Sequence, residues 1–186
     1  MPVTDRASLL RTAQRKKLII KFARPFEPGT FTGYVLGVGP KFFLFASLSD
    51  GFEFEQYSCL RISDVRQLEL PAKQAAFYTA VRKIRNDEMP PKIKVNLTDA
   101  SSILHSTHHS LLTIYREQID PGVCSIGKIM SFDKTYLKFL EIDPDAEWDS
   151  APSYYRLNQI TRIDLPGPYE KALLLIGGEP LLPSGE

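Results

Sequence analysis

The chain has 186 residues, of which 43% are apolar and 24% are charged, and its formal net charge is +1 at pH 7. That length is enough for one or two small domains, each with its own core. No apolar stretch reaches the roughly 18 residues of a membrane span, and the N-terminal residues lack the pattern of a signal peptide. We therefore expect a cytoplasmic protein with no membrane partner.

The predicted elements of the first half are a helix, five strands and a second helix. Thr4 or Asp5 can cap a helix that runs to about Gln14. Segments rich in Ile, Val, Phe and Leu, separated by Gly, Pro, Asp or Ser, then predict strands at 17–23, 31–38, 41–48, 52–62 and 65–70. A helix is predicted over 72–85, and its apolar stripe consists of Ala76, Phe77, Ala80, Val81 and Ile84.

The second half repeats this order. Residues 92–97 are extended and form either a linker or an extra edge strand. A helix is predicted over 98–109, strands at 111–116, 124–132, 135–142, 147–157 and 160–165, and a last helix over 169–176.

The two halves also align residue by residue. The run from Cys59 to Pro71 matches the run from Tyr154 to Pro166 at a constant offset of 95, apolar on apolar, and Pro28-Gly29 matches Pro121-Gly122 at an offset of 93. The chain is therefore a tandem duplication of one small β-rich unit. The predicted domains are 1–86 and 98–177, each with a leading and a trailing helix, joined by 87–97 and followed by a flexible tail at 178–186.

The fold class that follows is mainly β with flanking helices. Five closely spaced strands with glycines at 33, 37 and 39 favour a sheet that bends strongly and closes on itself. We expect two tandem five-stranded barrels with the same strand order in each copy. The predicted core comprises Ile20, Val35, Phe43, Leu60, Ile62, Val65 and Leu68 in the first unit, and Ile129, Leu137, Leu157, Ile160 and Ile163 in the second.

The two copies carry net charges of opposite sign. Residues 1–94 carry 16 Lys and Arg against 9 Asp and Glu, whereas residues 95–186 carry 7 against 13. Much of the positive excess lies in residues 6–24, which contain seven Lys and Arg and no carboxylate. Such a split can steer an anionic partner to the first half, attract neighbouring molecules to each other, or reflect drift of a solvated surface.

Several short motifs resemble a known family. They are Gly33-Tyr34-Val35, Asp50-Gly51 and the run from Leu60 to Val65 (Leu-Arg-Ile-Ser-Asp-Val), with Tyr155-Arg156-Leu157 as the second copy of the Leu-Arg-Ile step. A helix followed by five bent strands with these motifs resembles the Sm-like fold of Sm proteins and of the bacterial RNA chaperone Hfq, and it is most similar to short Hfq-like bacterial proteins.

The resemblance implies an RNA site and a mode of assembly. In the family an asparagine and an arginine hold a uracil beside a stacking ring; Arg61 and Arg156 match the arginine, whereas Phe43 and Leu137 stand where the asparagine is expected. Family members form rings by pairing the fourth strand of one barrel with the fifth strand of the next. A chain with two copies can make that junction internally.

No enzymatic signature is present in the sequence. There is no serine elbow, glycine-rich phosphate loop or Cys-His pair, so we predict a protein that is not an enzyme and needs no cofactor. His105, His108 and His109 can share a helical face, but no Cys or carboxylate accompanies them at a metal-binding spacing, and we predict no metal. Cys59 and Cys124 are expected to be small buried hydrophobic residues.

Two functions from different classes remain. The first is an interaction or assembly module that uses barrel edge strands to bind a protein partner or itself. The alternative is RNA binding, with exposed rings among Phe42, Phe43 and Tyr57 for base stacking. The candidate contacts to nucleic acid are Arg11, Arg15, Lys16, Lys17, Arg61 and Arg156. We expect a monomer or dimer, with free edges capped by residues 92–97 and the trailing helices, in preference to a three-chain ring.

Overall fold

The computed structural model describes residues 3–108 and 110–180. The first copy contains helix α1 (Val3–Lys16), strands β1 (Ile19–Ala23), β2 (Phe31–Val38), β3 (Phe42–Leu48), β4 (Phe54–Arg61) and β5 (Arg66–Glu69), and helix α2 (Ala75–Arg85). The second contains α3 (Ala100–Thr107), β6 (Leu112–Tyr115), β7 (Cys124–Phe132), β8 (Tyr136–Glu141), β9 (Ser153–Arg156), β10 (Arg162–Asp164) and α4 (Pro168–Gly177). A short 3-10 turn precedes β5 at Ile62–Asp64 and β10 at Leu157–Gln159.

The strands form one sheet, so the prediction of two closed five-stranded barrels is wrong. All ten strands are antiparallel neighbours in the order β5-β1-β2-β3-β4-β10-β6-β7-β8-β9. Within the described residues β4 pairs with β3 and β10, and β9 pairs with β8 alone. The fourth strand of each copy therefore does not close on the fifth strand of the same copy.

The duplication is nevertheless visible in the backbone. The strand order is fifth-first-second-third-fourth in both copies. The register of β2 on β3 shifts between Val35 and Gly37, and that of β7 on β8 shifts at the matching place, between Ile129 and Ser131. The N–H of Ile62 donates to the Lys41 carbonyl at 2.9 Å, and the N–H of Leu157 donates to the Thr135 carbonyl at 2.9 Å.

The junction between the copies is the pairing of β4 with β10, as expected for an internal contact between a fourth and a fifth strand. Cys59 lies opposite Ile163. The N–H of Leu165 extends the ladder by donating to the Tyr57 carbonyl at 2.9 Å, and Gln56 Nε2 donates to the Leu165 carbonyl at 2.6 Å. The two copies are thus joined by main-chain hydrogen bonds.

Two cores lie on the two faces of β3. Phe43 and Phe45 point into a core of the first copy, which α1 covers with Ala7, Leu10 and Ala13. Phe42 and Leu44 point into a core shared with the second copy. That shared core also contains Cys59, Ile103, Leu104, Leu112, Leu137, Phe139 and Ile163. All predicted core residues are buried except Leu68 and Ile129, which are half-buried.

The predicted apolar stripe of α2 does not face the sheet. Phe77 is 59% exposed and Ile84 is 81% exposed. The helix contacts the sheet through Tyr78, which packs near Ile19 and Leu48, and through the buried Arg82. Arg82 is held there by its contact with the Phe54 ring, 4.2 Å from the centroid.

Residues 92–97 form a linker without strand pairing in the part of the chain described. Leu97 is buried in the shared core, and its carbonyl accepts a hydrogen bond from the N–H of Phe42 at 3.4 Å. A Cβ atom at Gly39 would lie 2.2 Å from the Leu97 carbonyl oxygen, so the absent side chain lets the linker pass. This segment lies against the middle of the sheet and does not cap an edge strand.

The remaining predictions concern the membrane and the tail. No helix among residues 3–108 and 110–180 has the length and apolar character to span a bilayer. The flexible tail predicted at 178–186 lies outside the described residues from 181 onward.

Candidate nucleic-acid interface at the junction of the copies

A cleft of about 400 Å³ lies where the two copies meet. One side is formed by the turn between β2 and β3 and by the 3-10 turn of the first copy. The other side is formed by the start of α3 and the 3-10 turn of the second copy. The residues that matter for its chemistry are Lys41, Arg61, Ser63, Asp99, Lys134 and Asn158.

Arg61 is the most constrained cation of this cleft. Its side chain is 17% exposed, and its Nε donates to Asp64 Oδ2 at 2.9 Å. Its Nη2 is buried and has no hydrogen-bond partner among the described residues. A buried guanidinium N–H without an acceptor is costly, but Nη2 is closed to solvent and is not itself presented to an anion in the cleft.

Further cations surround the Arg61 turn. Arg6 Nη1 donates to the Ser63 carbonyl at 2.9 Å, and Arg66 Nη1 donates to the same carbonyl at 2.6 Å. Lys41 lines the cleft from the β2–β3 turn, and Lys134 lines it from the equivalent turn between β7 and β8. Together with Arg61 these side chains give the junction a positive surface.

Asp99 is the carboxylate of the cleft, and it caps α3. The backbone N–H of Ser102 donates to Asp99 Oδ1 at 2.9 Å. This hydrogen bond, together with the Ser102 hydroxyl and the charge of Lys41, lowers the pKa of Asp99 below its ordinary value of 3.8. Asp99 is therefore ionised near neutral pH and is engaged with its own helix.

The predicted basic residues of α1 lie on the solvent side of the helix. Arg11, Arg15 and Lys16 are exposed on α1, and Lys17 is exposed immediately after it, with a φ of 50°. Arg6 of the same helix contacts Ser63 beside the cleft, whereas Arg11 and Arg15 lie about 140° and 180° around the helix from it.

Arg156 and the predicted stacking rings are not part of this arrangement. Arg156 lies on β9, where its guanidinium carbon is 5.7 Å from the centroid of the Tyr136 ring. Phe42 and Phe43 are only 3% and 0% exposed, so the prediction that they stack on bases is wrong. Tyr57 is half-buried and packs against the shared core.

A second contact secures the opposite side of the junction. Arg162 Nε and Nη2 donate to the two carboxylate oxygens of Asp164 at 2.7 and 2.6 Å. Its guanidinium carbon lies 4.4 Å from the Tyr115 ring centroid and 5.4 Å from the Phe31 ring centroid. Burial acts to lower the pKa of Arg162, but the neighbouring Asp164 outweighs it and raises that pKa. The guanidinium is therefore a permanent cation between rings of both copies.

The structure describes two of the three histidines and both cysteines. His108 Nδ1 lies 2.9 Å from the His105 carbonyl oxygen, whereas His109 is outside the described residues. Across 3–108 and 110–180, no three His, Cys, Asp or Glu side chains are grouped as a metal site. Cys59 is buried as predicted, but Cys124 is exposed, so the prediction for Cys124 is wrong.

Comparisons with protein-family models, curated proteins and solved structures found no match for this chain. The resemblance to Sm-like proteins therefore stays a prediction.

Proposed function

We propose that the protein is a non-enzymatic cytoplasmic module that binds single-stranded RNA through its phosphates at the junction of the two copies. The observation that carries the proposal is the cleft at the junction of the copies, which is lined by three cations, Arg61, Lys41 and Lys134. A phosphate oxygen is the acceptor that an arginine favours.

The exposed cations of α1 extend the interface from the cleft onto the solvent side of that helix. Arg11, Arg15, Lys16 and Lys17 are exposed, and α1 reaches the cleft through Arg6. Because Phe42 and Phe43 are buried, we expect recognition to rest on charge, with little contribution from ring stacking and correspondingly little base preference.

The test is the binding of a short single-stranded RNA in low salt. Reversing Arg11, Arg15, Lys16 and Lys17 to Glu should abolish binding, and the affinity of the parent protein should fall steeply with salt. The matched control reverses Lys73, Lys83, Lys92 and Lys94, which are exposed elsewhere and change the net charge equally. The control should retain binding because its lysines lie outside the interface. Equal binding by the α1 variant and the parent would exclude this surface, and a parent that does not bind RNA would refute the function.

A second function, assembly, is supported by the pairing of β4 with β10. That pairing leaves two strands at the ends of the described sheet. They are β9, the fourth strand of the second copy, and β5, the fifth strand of the first copy. By the offset of 95, a β9–β5 contact between chains would place Tyr154 opposite Leu68, as Cys59 lies opposite Ile163. Edge strands of this kind accept a further strand from a protein partner or from another copy.

A β-bulge makes β5 less able than β9 to pair with a strand of another chain. Between the pairs Lys21–Glu69 and Ala23–Arg66 the register shifts, and Gln67 there has a φ of 45°. The equivalent strand β10 pairs with β6 without a shift. Because bulges discourage edge-to-edge pairing, we favour a monomer or dimer over a ring of three chains. Light scattering tests this: a mass of three chains that falls when salt is added would contradict it.

A further inference from the structure

Each trailing helix exposes large apolar side chains, at positions that are not equivalent under the offset of 95. On α2, Phe77 and Ile84 are 59% and 81% exposed, and on α4, Leu175 and Ile176 are 82% and 76% exposed. We call these two surfaces the α2 face (Phe77, Ala80, Ile84) and the α4 face (Ala172, Leu175, Ile176).

The same side of each helix rests on the sheet. Tyr78 of α2 and Leu173 of α4 are 95 residues apart and therefore equivalent, and each packs on the sheet of its own copy. With that side occupied, the large side chains of both faces stay mostly exposed, although Phe77 also packs edge-on against Phe52 with ring centroids 5.5 Å apart. Contiguous exposed apolar surface of this kind is characteristic of interaction sites.

The surroundings of the two faces differ in charge. Residues 72–85 present three exposed cations, Lys73, Lys83 and Arg85, and no carboxylate. Residues 141–149 contain five Asp and Glu and no Lys or Arg, which outnumber the single exposed lysine of α4, Lys171. Trp148 Nε1 donates to the Gly178 carbonyl at 3.1 Å, which places this acidic hairpin beside the end of α4. In that hairpin Asp143, Asp145, Glu147 and Asp149 are exposed.

We propose that the α2 face of one chain docks on the α4 face of a second copy of this chain. Apolar side chains would be buried at the centre, with the basic rim of α2 meeting the acidic hairpin beside α4. Contacts between two α2 faces or two α4 faces would instead bring like charges together, which disfavours them. Formed twice about a two-fold axis, α2 on α4 and α4 on α2, this contact gives a dimer, and it does not use the strand edges or the RNA cleft.

A mixing experiment tests the pairing of unlike faces. One variant carries Phe77→Ser and Ile84→Ser, and the other carries Leu175→Ser and Ile176→Ser. All four side chains are mostly exposed, so both variants should fold, and the first should lose a little thermal stability because Phe77 packs edge-on against Phe52. Sedimentation should show that the parent associates and that each variant alone is monomeric. An equimolar mixture should associate again, because one intact α2 face and one intact α4 face remain. A monomeric parent, self-association of either variant, or a mixture that stays monomeric would overturn the proposal.

Charge reversal gives an independent test of the same contact. Lys83→Glu in one chain or Glu147→Lys in another should each weaken association, and mixing the two variants should restore it. Tyr154→Glu, on the exposed edge strand β9, should leave association unchanged. Loss of association in the Tyr154 variant, or no effect of the charge reversals, would assign the contact to another surface and overturn the proposal.

Discussion

Arg24, which follows β1 in the first copy, and Glu117, which lies just after β6 in the second copy, form an ion pair with each other. Arg24 Nη1 donates to Glu117 Oε1 at 2.7 Å and Nη2 donates to Oε2, so the pair is bidentate. The side chains are 1% and 5% exposed. This buried contact joins a cation of the basic first copy to a carboxylate of the acidic second copy.

Breaking this pair should be costly. Glu117→Gln or Arg24→Ala leaves a buried charge without its partner, and we expect a loss of about 3–5 kcal/mol in the free energy of unfolding. Denaturant titration measures it. Glu27→Gln is the matched control, because Glu27 also binds Arg24 but its side chain is 33% exposed, and its loss should be much smaller. Equal losses would show that Arg24 is not specifically paired with Glu117.

The equivalent leucines Leu60 and Leu157 should both be core residues. They are 0% and 7% exposed, and replacing either by Ala should lower the free energy of unfolding by about 2–5 kcal/mol because a cavity remains. Thermal or denaturant unfolding checks this, with Leu175→Ala as the control at an exposed position. A Leu60 or Leu157 variant as stable as the control would remove that residue from the core.

Arg61→Ala should weaken RNA binding while the protein stays folded. Arg61 lines the cleft, whereas the equivalent Arg156 is exposed on β9 and does not line it. Arg156→Ala is therefore the matched control and should bind RNA like the parent. The measurement is affinity at fixed low salt, corrected for the folded fraction. If Arg61→Ala lowers stability alone and the folded protein binds unchanged, Arg61 only anchors its turn.

The Asp99 cap should stabilise the protein in a pH-dependent way. Because its pKa is lower in the folded protein than in the unfolded chain, the contribution is complete above the unfolded pKa and is lost as the pH falls through the folded value. At pH 7 Asp99→Ala should cost about 1 kcal/mol, and this difference should shrink as the pH falls below the ordinary carboxyl pKa of 3.8. Asp99→Asn, which also caps, should show a smaller cost without that pH dependence. A cost of Asp99→Ala that is constant with pH would contradict the assignment.

The sequence predicts the elements better than their arrangement. The predicted strands at 31–38 and 124–132 coincide with β2 and β7, because alternation and punctuation are local signals. Which strand lies beside β4 depends on the pairing of two residues that are 104 positions apart, Cys59 and Ile163, and the hydrophobic pattern does not encode this pairing. The same pattern therefore fits two closed barrels and one open sheet.

The errors at the candidate site have a similar cause. Phe42 to Ala46 are all buried because β3 has a core on each face, so alternation along this strand gives no information about exposure. The Leu-Arg-Ile motif identifies Arg61 in the sequence. Lys41 and Lys134 have no such motif, and they line the cleft only because the fold brings the turns of both copies together.

The central claim is that the pairing of β4 with β10 makes the two copies one structural unit. Native-state hydrogen exchange at the Leu165 amide tests it most directly, because that N–H donates to the Tyr57 carbonyl of the other copy at 2.9 Å. We predict protection equal to that of the slowest amides in both copies, so that the amide exchanges only on global unfolding. Exchange at the rate of an exposed loop, with the inner strands of each copy still protected, would show that the copies are independent and would contradict the claim.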